Sequence, residues 1–296
     1  MSRTRTHKIT QSTFSKKDDY VMLVKLRLSL LVVFTSVIGF IIASGGLFEV
    51  GPIVMLSIAG ILVTGAANAL NQVLEKDYDV HMERTKDRPI AAGRMKSSEA
   101  VMFAGISCLI GISILALFNP LTALLGMLSL ITYAFVYTPL KRYSTIAVAI
   151  GAIPGALPVL IGYTAWSGEI TVLAIVLFAI QFLWQFPHFW SIGYLAFEDY
   201  QKAGYKLLPV QDGKMDRNVG MYAAVYALLI VPIVIWCFSL GYGSMPSMII
   251  AVVSSVVYTL CSIYMFRKNN KKSALLLMFS SFFYLPIVLM GYLIGL

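Results

Sequence analysis

Nine long apolar stretches, separated by polar links, make up most of this chain. They cover residues 28–46, 52–72, 100–118, 121–138, 146–166, 170–188, 219–240, 245–266 and 274–294. Each is close to the roughly 20 apolar residues that a helix needs to cross a bilayer's hydrocarbon core. The pattern predicts an all-α polytopic membrane protein, a bundle of about nine transmembrane helices. The Asn119-Pro120 link and the link over 166–169 are so short that the helices flanking each should pair as tight hairpins. Residues 1–26 are polar and mixed in charge and read as an N-terminal arm, followed by one transmembrane domain over 27–296. The arm lacks the apolar centre and small-residue cleavage site of a signal peptide, and Asp18 and Asp19 argue against a transit peptide.

Composition supports the same class. The chain is 58% hydrophobic and 12% charged, with a mean hydropathy of +0.80, outside the range of soluble domains. All 23 Lys and Arg fall before the first stretch or in the links after the second, fourth, sixth and eighth stretches. Cytoplasmic loops of membrane proteins carry the Lys and Arg excess, so the N-terminus is expected in the cytoplasm and the C-terminus outside. The net charge of +9 thus reflects topology, and no basic helix stands apart from the membrane ends to bind nucleic acid. Cys108, Cys237 and Cys261 are scattered through apolar stretches without metal-ligand spacing and read as packing residues.

The chemistry-bearing segment follows the second stretch. Asn71, Glu75 and Asp79 are spaced by four, which puts them on one helix face, and a step of three and then four leads back along that face to Asn68 and Thr64. A polar stripe that begins inside a bilayer is costly unless it is used. Two carboxylates and a carboxamide suit Mg²⁺, a hard cation that is commonly shared between carboxylates and a substrate's phosphates. Arg84, Lys86 and Arg88 follow at once and suit a phosphate-rich anion. Acid followed by base at the mouth of an apolar bundle points to an enzyme acting on a lipid diphosphate.

Two further clusters lie at the same membrane face. Tyr137 and Lys141 are four apart, with Arg142 beside them, at the end of the fourth stretch. They suit a phosphate oxygen, although Lys and Arg at an inner helix end are also common topology anchors, and Tyr is common in the interfacial belt. Gln181, Gln185 and His188 share a face of the sixth stretch, which leads to Glu198 and Asp199. That arrangement reads as a cavity lining, with His188 able to bind a metal or orient a polar group. His81 and His7 carry less information, the first in the acid–base link and the second in the arm.

Together the motifs resemble the intramembrane prenyltransferase superfamily of the UbiA type over nearly the whole chain. The resemblance rests on the nine stretches, Asn71-x-x-x-Glu75-x-x-x-Asp79, then Arg84-Thr85-x-x-Arg88-Pro89, and Tyr137-x-x-x-Lys141. Pro187-His188-Phe189-Trp190, Glu198-Asp199-Tyr200, Ala203-Gly204 and Leu208-Pro209-Val210 resemble the branch that prenylates heme. The resemblance implies a central cavity open to the cytoplasmic rim of a bacterial inner (plasma) membrane. It implies Mg²⁺ held by Asn71, Glu75 and Asp79, with Asp199 in a second acidic motif. It implies diphosphate contacts from Arg84, Arg88, Tyr137, Lys141 and Arg142, and a heme contact from His188, flanked by Gln185 and Gln181. The substrates so implied are farnesyl diphosphate and protoheme IX, heme being a substrate and not a fixed cofactor. A downstream heme-modifying enzyme or oxidase assembly factor is an implied partner.

The chain departs from relatives with aromatic acceptors, which carry Asp where Gln72 and Glu75 stand and several spaced Asp where only Glu198 and Asp199 stand. Two other readings remain open at this level. One is the same transfer onto an aromatic quinone precursor. The other is a membrane transporter or a non-catalytic oxidase assembly protein. Transporters commonly keep ionisable residues near the midplane, whereas here every Asp, Glu, Lys and Arg can be placed at or beyond a helix end.

Overall fold

The computed structural model describes residues 14–211, 213–294 and 296, so His7 and the first half of the expected arm lie outside the described residues. Among the described residues there are twelve α-helices: α1 Lys16–Val24, α2 Leu26–Ala43, α3 Val50–Asp79, α4 Ser97–Phe118, α5 Pro120–Ile131, α6 Thr138–Leu140, α7 Ala147–Ser167, α8 Val172–Leu195, α9 Phe197–Lys202, α10 Val219–Ser239, α11 Met245–Lys268 and α12 Lys271–Gly291. A π-helical stretch, Thr132–Tyr137, joins α5 to α6. Among the described residues nine segments are long and apolar enough to cross a membrane: α2, α3, α4, Pro120–Leu140 as one unit, α7, α8, α10, α11 and α12. The chain is a multi-pass membrane protein.

The spanning helices form a ring in chain order, α2 against α3, α3 against α4, and so on to α12, which returns to α2. Helix α7 also packs along α2, and it is the most buried span. Glycine makes this crossing close. A Cβ on Gly39 of α2 would overlap the Val159 carbonyl, and one on Gly162 of α7 would overlap the Ser36 carbonyl. In lipid, where oil-like surroundings give little hydrophobic drive between helices, such small-residue contacts supply the packing. Leu109, Leu117 and Phe283 are exposed on outer faces, the side a bilayer would cover.

Helix ends are set by local chemistry. The α4–α5 hairpin turns at Asn119, whose Oδ1 accepts from the Thr122 N–H while its Nδ2 donates to the Thr164 carbonyl at 2.7 Å. Pro120 starts α5, where its missing N–H costs nothing. Capping boxes at Ser244 and Asn270 open α11 and α12.

Two helices run past their apolar stretches. α3 continues to Asp79, so Glu75 and Asp79 are helical, and α8 continues past His188 to Leu195. Part of the expected arm is also built into the fold. A Ser15–Asp18 capping box starts α1, Leu23 is fully buried, and α1 packs on α3. Its end is tied down by amides of α3: Gln72 Nε2 donates to the carbonyls of Met22 and Leu23, and Asn68 Nδ2 to that of Val24.

Candidate active site

The ends of α1, α3, α6 and α8 meet around a cavity of about 220 Å³. Asn71, Glu75, Asp79, Arg84, Arg88, Tyr137, Lys141 and His188, all singled out in the sequence, line it. Lys25, Tyr133, Tyr200 and Tyr205 line it too. Four cations therefore face two carboxylates, an excess that suits a multiply charged anion.

The carboxylates are held by the cations around them. Arg88 Nη1 donates to both oxygens of Asp79, at 2.8 and 2.7 Å, and stands 3.7 Å from Glu75 Oε2. Lys141 Nζ donates to Glu75 Oε1 at 2.8 Å and lies over the Tyr137 ring at 4.3 Å. Asn71 Nδ2 donates to Thr138 Oγ1, and its Oδ1 accepts from Lys25 Nζ at 3.3 Å. Asp79 and Asn71 are almost wholly buried. Charges removed from water this way are stable only while paired, so an incoming anion would exchange partners with groups already in place.

Lys25 is poised differently. It takes the left-handed backbone conformation, with φ of +48°, at the joint between α1 and α2. Burial, then the charges of Arg88 and Lys141, push its ammonium well below the ordinary lysine range. A strained, repelled cation facing a cavity is a feature of sites that await an anion.

The π-helical stretch shapes the opposite wall. It places Tyr133 and Tyr137 together on the cavity with their rings 5.5 Å apart. Gly151 of α7 leaves the room that the Tyr137 ring fills. The Lys141 N–H still bonds to the Tyr137 carbonyl at 3.2 Å, so Pro139 does not break the turn linking them. Such local widenings are frequent at functional sites.

His188 forms a third wall. Its ring stacks on Trp184, and Nδ1 lies 2.7 Å from Ser281 Oγ of α12. Ser281 donates its own hydroxyl hydrogen to the Met278 carbonyl. With that hydrogen used on the carbonyl, the arrangement favours the tautomer in which Nδ1 donates, and Nε2 has no hydrogen-bond partner among the described residues.

Four expected residues stand elsewhere. Gln181 and Gln185 are buried against α7, their Nε2 atoms donating to the carbonyls of Gly155 and Ala152, and neither lines the cavity. They lock α8 to α7 and thereby fix the height of His188. Arg142 lies behind the wall, donating to the Tyr78 hydroxyl at 2.6 Å. Asp199 is on α9, 3.6 Å from Lys202, and borders a separate pocket beside Glu198 and Lys271. Of the less informative candidates, His81 is exposed.

Apolar pockets adjoin the cavity inside the bundle. Leu28 and Tyr133 are shared with an apolar pocket of about 100 Å³ lined by Val32, Val63, Thr64 and Ser129 among others. Val32, Val63, Thr64, Ser129 and Pro158 are shared in turn with a smaller one reaching Gly60, Leu56 and Leu115. A polar head chamber thus adjoins an apolar gallery of small pockets between α2, α3, α5 and α7.

The donor set fits a hard divalent cation. Asn71, Glu75 and Asp79 offer oxygen alone. Among the described residues no group of three or more His, Cys, Asp or Glu could hold a metal. The carboxamide and a ligand's own oxygens must therefore complete any coordination, the usual arrangement for Mg²⁺.

Residues 32–285 match the UbiA prenyltransferase family. The protoheme IX farnesyltransferase of Cytophaga hutchinsonii is 41% identical over 275 residues, covering 93% of this chain and 96% of that protein. The protoheme IX farnesyltransferase of Flavobacterium psychrophilum is 37% identical over 286 residues, covering 94% of each. Among solved structures, a digeranylgeranylglyceryl phosphate synthase superposes with a TM-score of 0.78 over 95% of this chain and 99% of its own, at 18% identity. A UbiA homolog from Archaeoglobus fulgidus bound to DMAPP and Mg²⁺ superposes with a TM-score of 0.68 over 93% and 99%, at 16% identity.

Proposed function

This chain belongs to the UbiA prenyltransferase family, and on that premise we propose that it transfers a farnesyl group from farnesyl diphosphate to a vinyl group of protoheme IX. Water adds in the same reaction, and the products are heme O and diphosphate. The acceptor follows from the relatives named protoheme IX farnesyltransferase, which match nearly the full length of this chain. The observation that carries the chemistry is the cation-rich head chamber beside an apolar gallery, a pairing that suits one amphiphilic anion.

In this reading the diphosphate lies among Lys25, Arg84, Arg88 and Lys141, with Tyr137 beside Lys141. Arg142 supports the wall through Tyr78. Asn71, Glu75 and Asp79 are the residues that would hold Mg²⁺, which when bound neutralises charge on the leaving group. The isoprenoid tail extends along Leu28, Val32, Val63 and Ser129. The cations meet negative charge where it grows as the C–O bond to diphosphate breaks. The allylic cation left behind faces the rings of Tyr133 and Tyr137, which can stabilise it through their π faces. The vinyl group supplies the electron pair for the new C–C bond. Water then adds to the porphyrin-side cation and loses a proton. In this reading His188 Nε2, which has no partner among the described residues, takes that proton or ligates the heme iron. We place the protein in a bacterial inner membrane with its N-terminus in the cytoplasm and the C-terminus outside, as the Lys and Arg distribution supports. In this reading Asp199, which borders the neighbouring pocket, serves as an outer contact.

The test is a pigment extract from cells expressing the chain, analysed by chromatography and mass spectrometry, with Asp79→Ala as control. A heme heavier by one farnesyl group plus water, absent with the variant, is the expected result. No new heme when both substrates are available would sink the reading.

A further inference from the structure

Three buried side-chain polar atoms have no hydrogen-bond partner among the described residues: Gln72 Oε1, Gln181 Oε1 and Tyr205 Oη. The two amides already donate through Nε2, and neither borders the cavity. Tyr205 does border it, and it is only 8% exposed.

The ring of Tyr205 is fixed from several sides. Its backbone N–H donates to the Tyr200 carbonyl at 2.8 Å, and the next N–H, of Lys206, donates to the Lys141 carbonyl at 2.7 Å. Tyr78 and Tyr200 flank it with ring centroids 6.1 and 6.2 Å away. The loop after α9 is thus pinned to the residue that grips Glu75. Together with Tyr200 and Leu207, Tyr205 also borders a second cavity of about 610 Å³, so its ring stands between the two.

A buried donor without an acceptor is destabilising, and a rigid one on a cavity shared with four cations points to an anionic acceptor. We propose that Tyr205 is a further binding residue of the reaction, its hydroxyl donating to a diphosphate oxygen of the prenyl donor. The inference rests on the functional reading above. It makes the loop after α9 part of the diphosphate chamber and gives Tyr205 a direct contact with substrate.

The experiment uses the purified full-length chain in detergent, titrated calorimetrically with inorganic diphosphate in the presence of Mg²⁺, as wild type and as Tyr205→Phe. The expected result is affinity roughly tenfold weaker in the variant, the scale of one hydrogen bond to a charged acceptor. The thermal midpoint without diphosphate should be equal or higher, because phenylalanine removes the unpartnered hydroxyl. Unchanged affinity would overturn the role of Tyr205 alone, leaving the functional reading intact. A lowered midpoint would assign the hydroxyl to structure and also overturn it. Wild-type protein that binds neither inorganic nor farnesyl diphosphate would overturn both.

Discussion

The carboxylates and cations of the head chamber stand in partnerships that a substrate must exchange, and this governs what single substitutions will do. Asp79→Ala removes an oxygen donor from the Asn71, Glu75 and Asp79 set and leaves Arg88 without its bidentate partner. We expect turnover to fall on the order of 100-fold or more, measured as prenylated heme formed per unit of membrane protein; near-normal turnover would remove Asp79 from the site. Lys25 behaves in the opposite way with respect to stability. Its left-handed backbone costs about 1–2 kcal/mol in a residue with a Cβ, and its charge is repelled by Arg88 and Lys141. Lys25→Gly should therefore hold or raise the thermal midpoint while raising the KM for farnesyl diphosphate roughly tenfold or more. A drop in stability with unchanged KM would show a structural lysine instead. The sequence disclosed one of these residues and hid the other for a physical reason. Asp79 lies on one helix face with Asn71 and Glu75, so spacing by four reveals the set. Lys25 and Tyr205 reach the chamber through a helix joint and a loop, and no periodicity connects them with α3.

At the scale of the elements, apolar runs near twenty residues located every span, because lipid demands a closed run of backbone hydrogen bonds across its thickness. Helix ends were less legible. Charged residues leave a hydropathy window without leaving the helix, so α3 runs on to Asp79 and α8 to Leu195. Gln181 and Gln185 illustrate the same limit. Their shared face with His188 was visible, but only packing shows that their amides are used on the carbonyls of α7. Close contact between α2 and α7 was equally invisible in sequence and depends on glycine. Gly162→Val places side-chain atoms against the Ser36 carbonyl. It should destabilise the fold by about 1–3 kcal/mol or more, read as a lower thermal midpoint in detergent; an unchanged midpoint would mean that α2 and α7 are not pressed together there. The apolar gallery makes its own prediction. Ser129 borders both of its pockets, so Ser129→Phe should shorten it. The variant should lose kcat/KM for farnesyl diphosphate several-fold more than for geranyl diphosphate, since an isoprene unit fewer demands less depth. Equal losses on the two donors would place the tail elsewhere.

Over the whole molecule, the ring of helices and the charge distribution tell one story. The links rich in Lys and Arg lie at the end where the head chamber opens, because the residues that build the chamber sit at the ends of α1, α3, α6 and α8 beside those links. One asymmetry thus serves two purposes. In the proposed orientation it would set the direction of insertion and concentrate positive potential where a soluble-headed, lipid-tailed anion would arrive from the cytoplasm. The transporter alternative would place ionisable groups at the bilayer midplane, whereas the charged residues of the chamber gather at one rim. The orientation can be measured independently of activity. In a background with Cys108, Cys237 and Cys261 replaced by serine, a single cysteine at Glu49, exposed in the link between α2 and α3, should react with a membrane-impermeant maleimide added outside spheroplasts. A single cysteine at Lys86, exposed in the link between α3 and α4, should react only after the membrane is opened. The reverse pattern would turn the chamber outward, away from any cytoplasmic supply of diphosphate substrate, and the proposed reaction would then have no route to its donor.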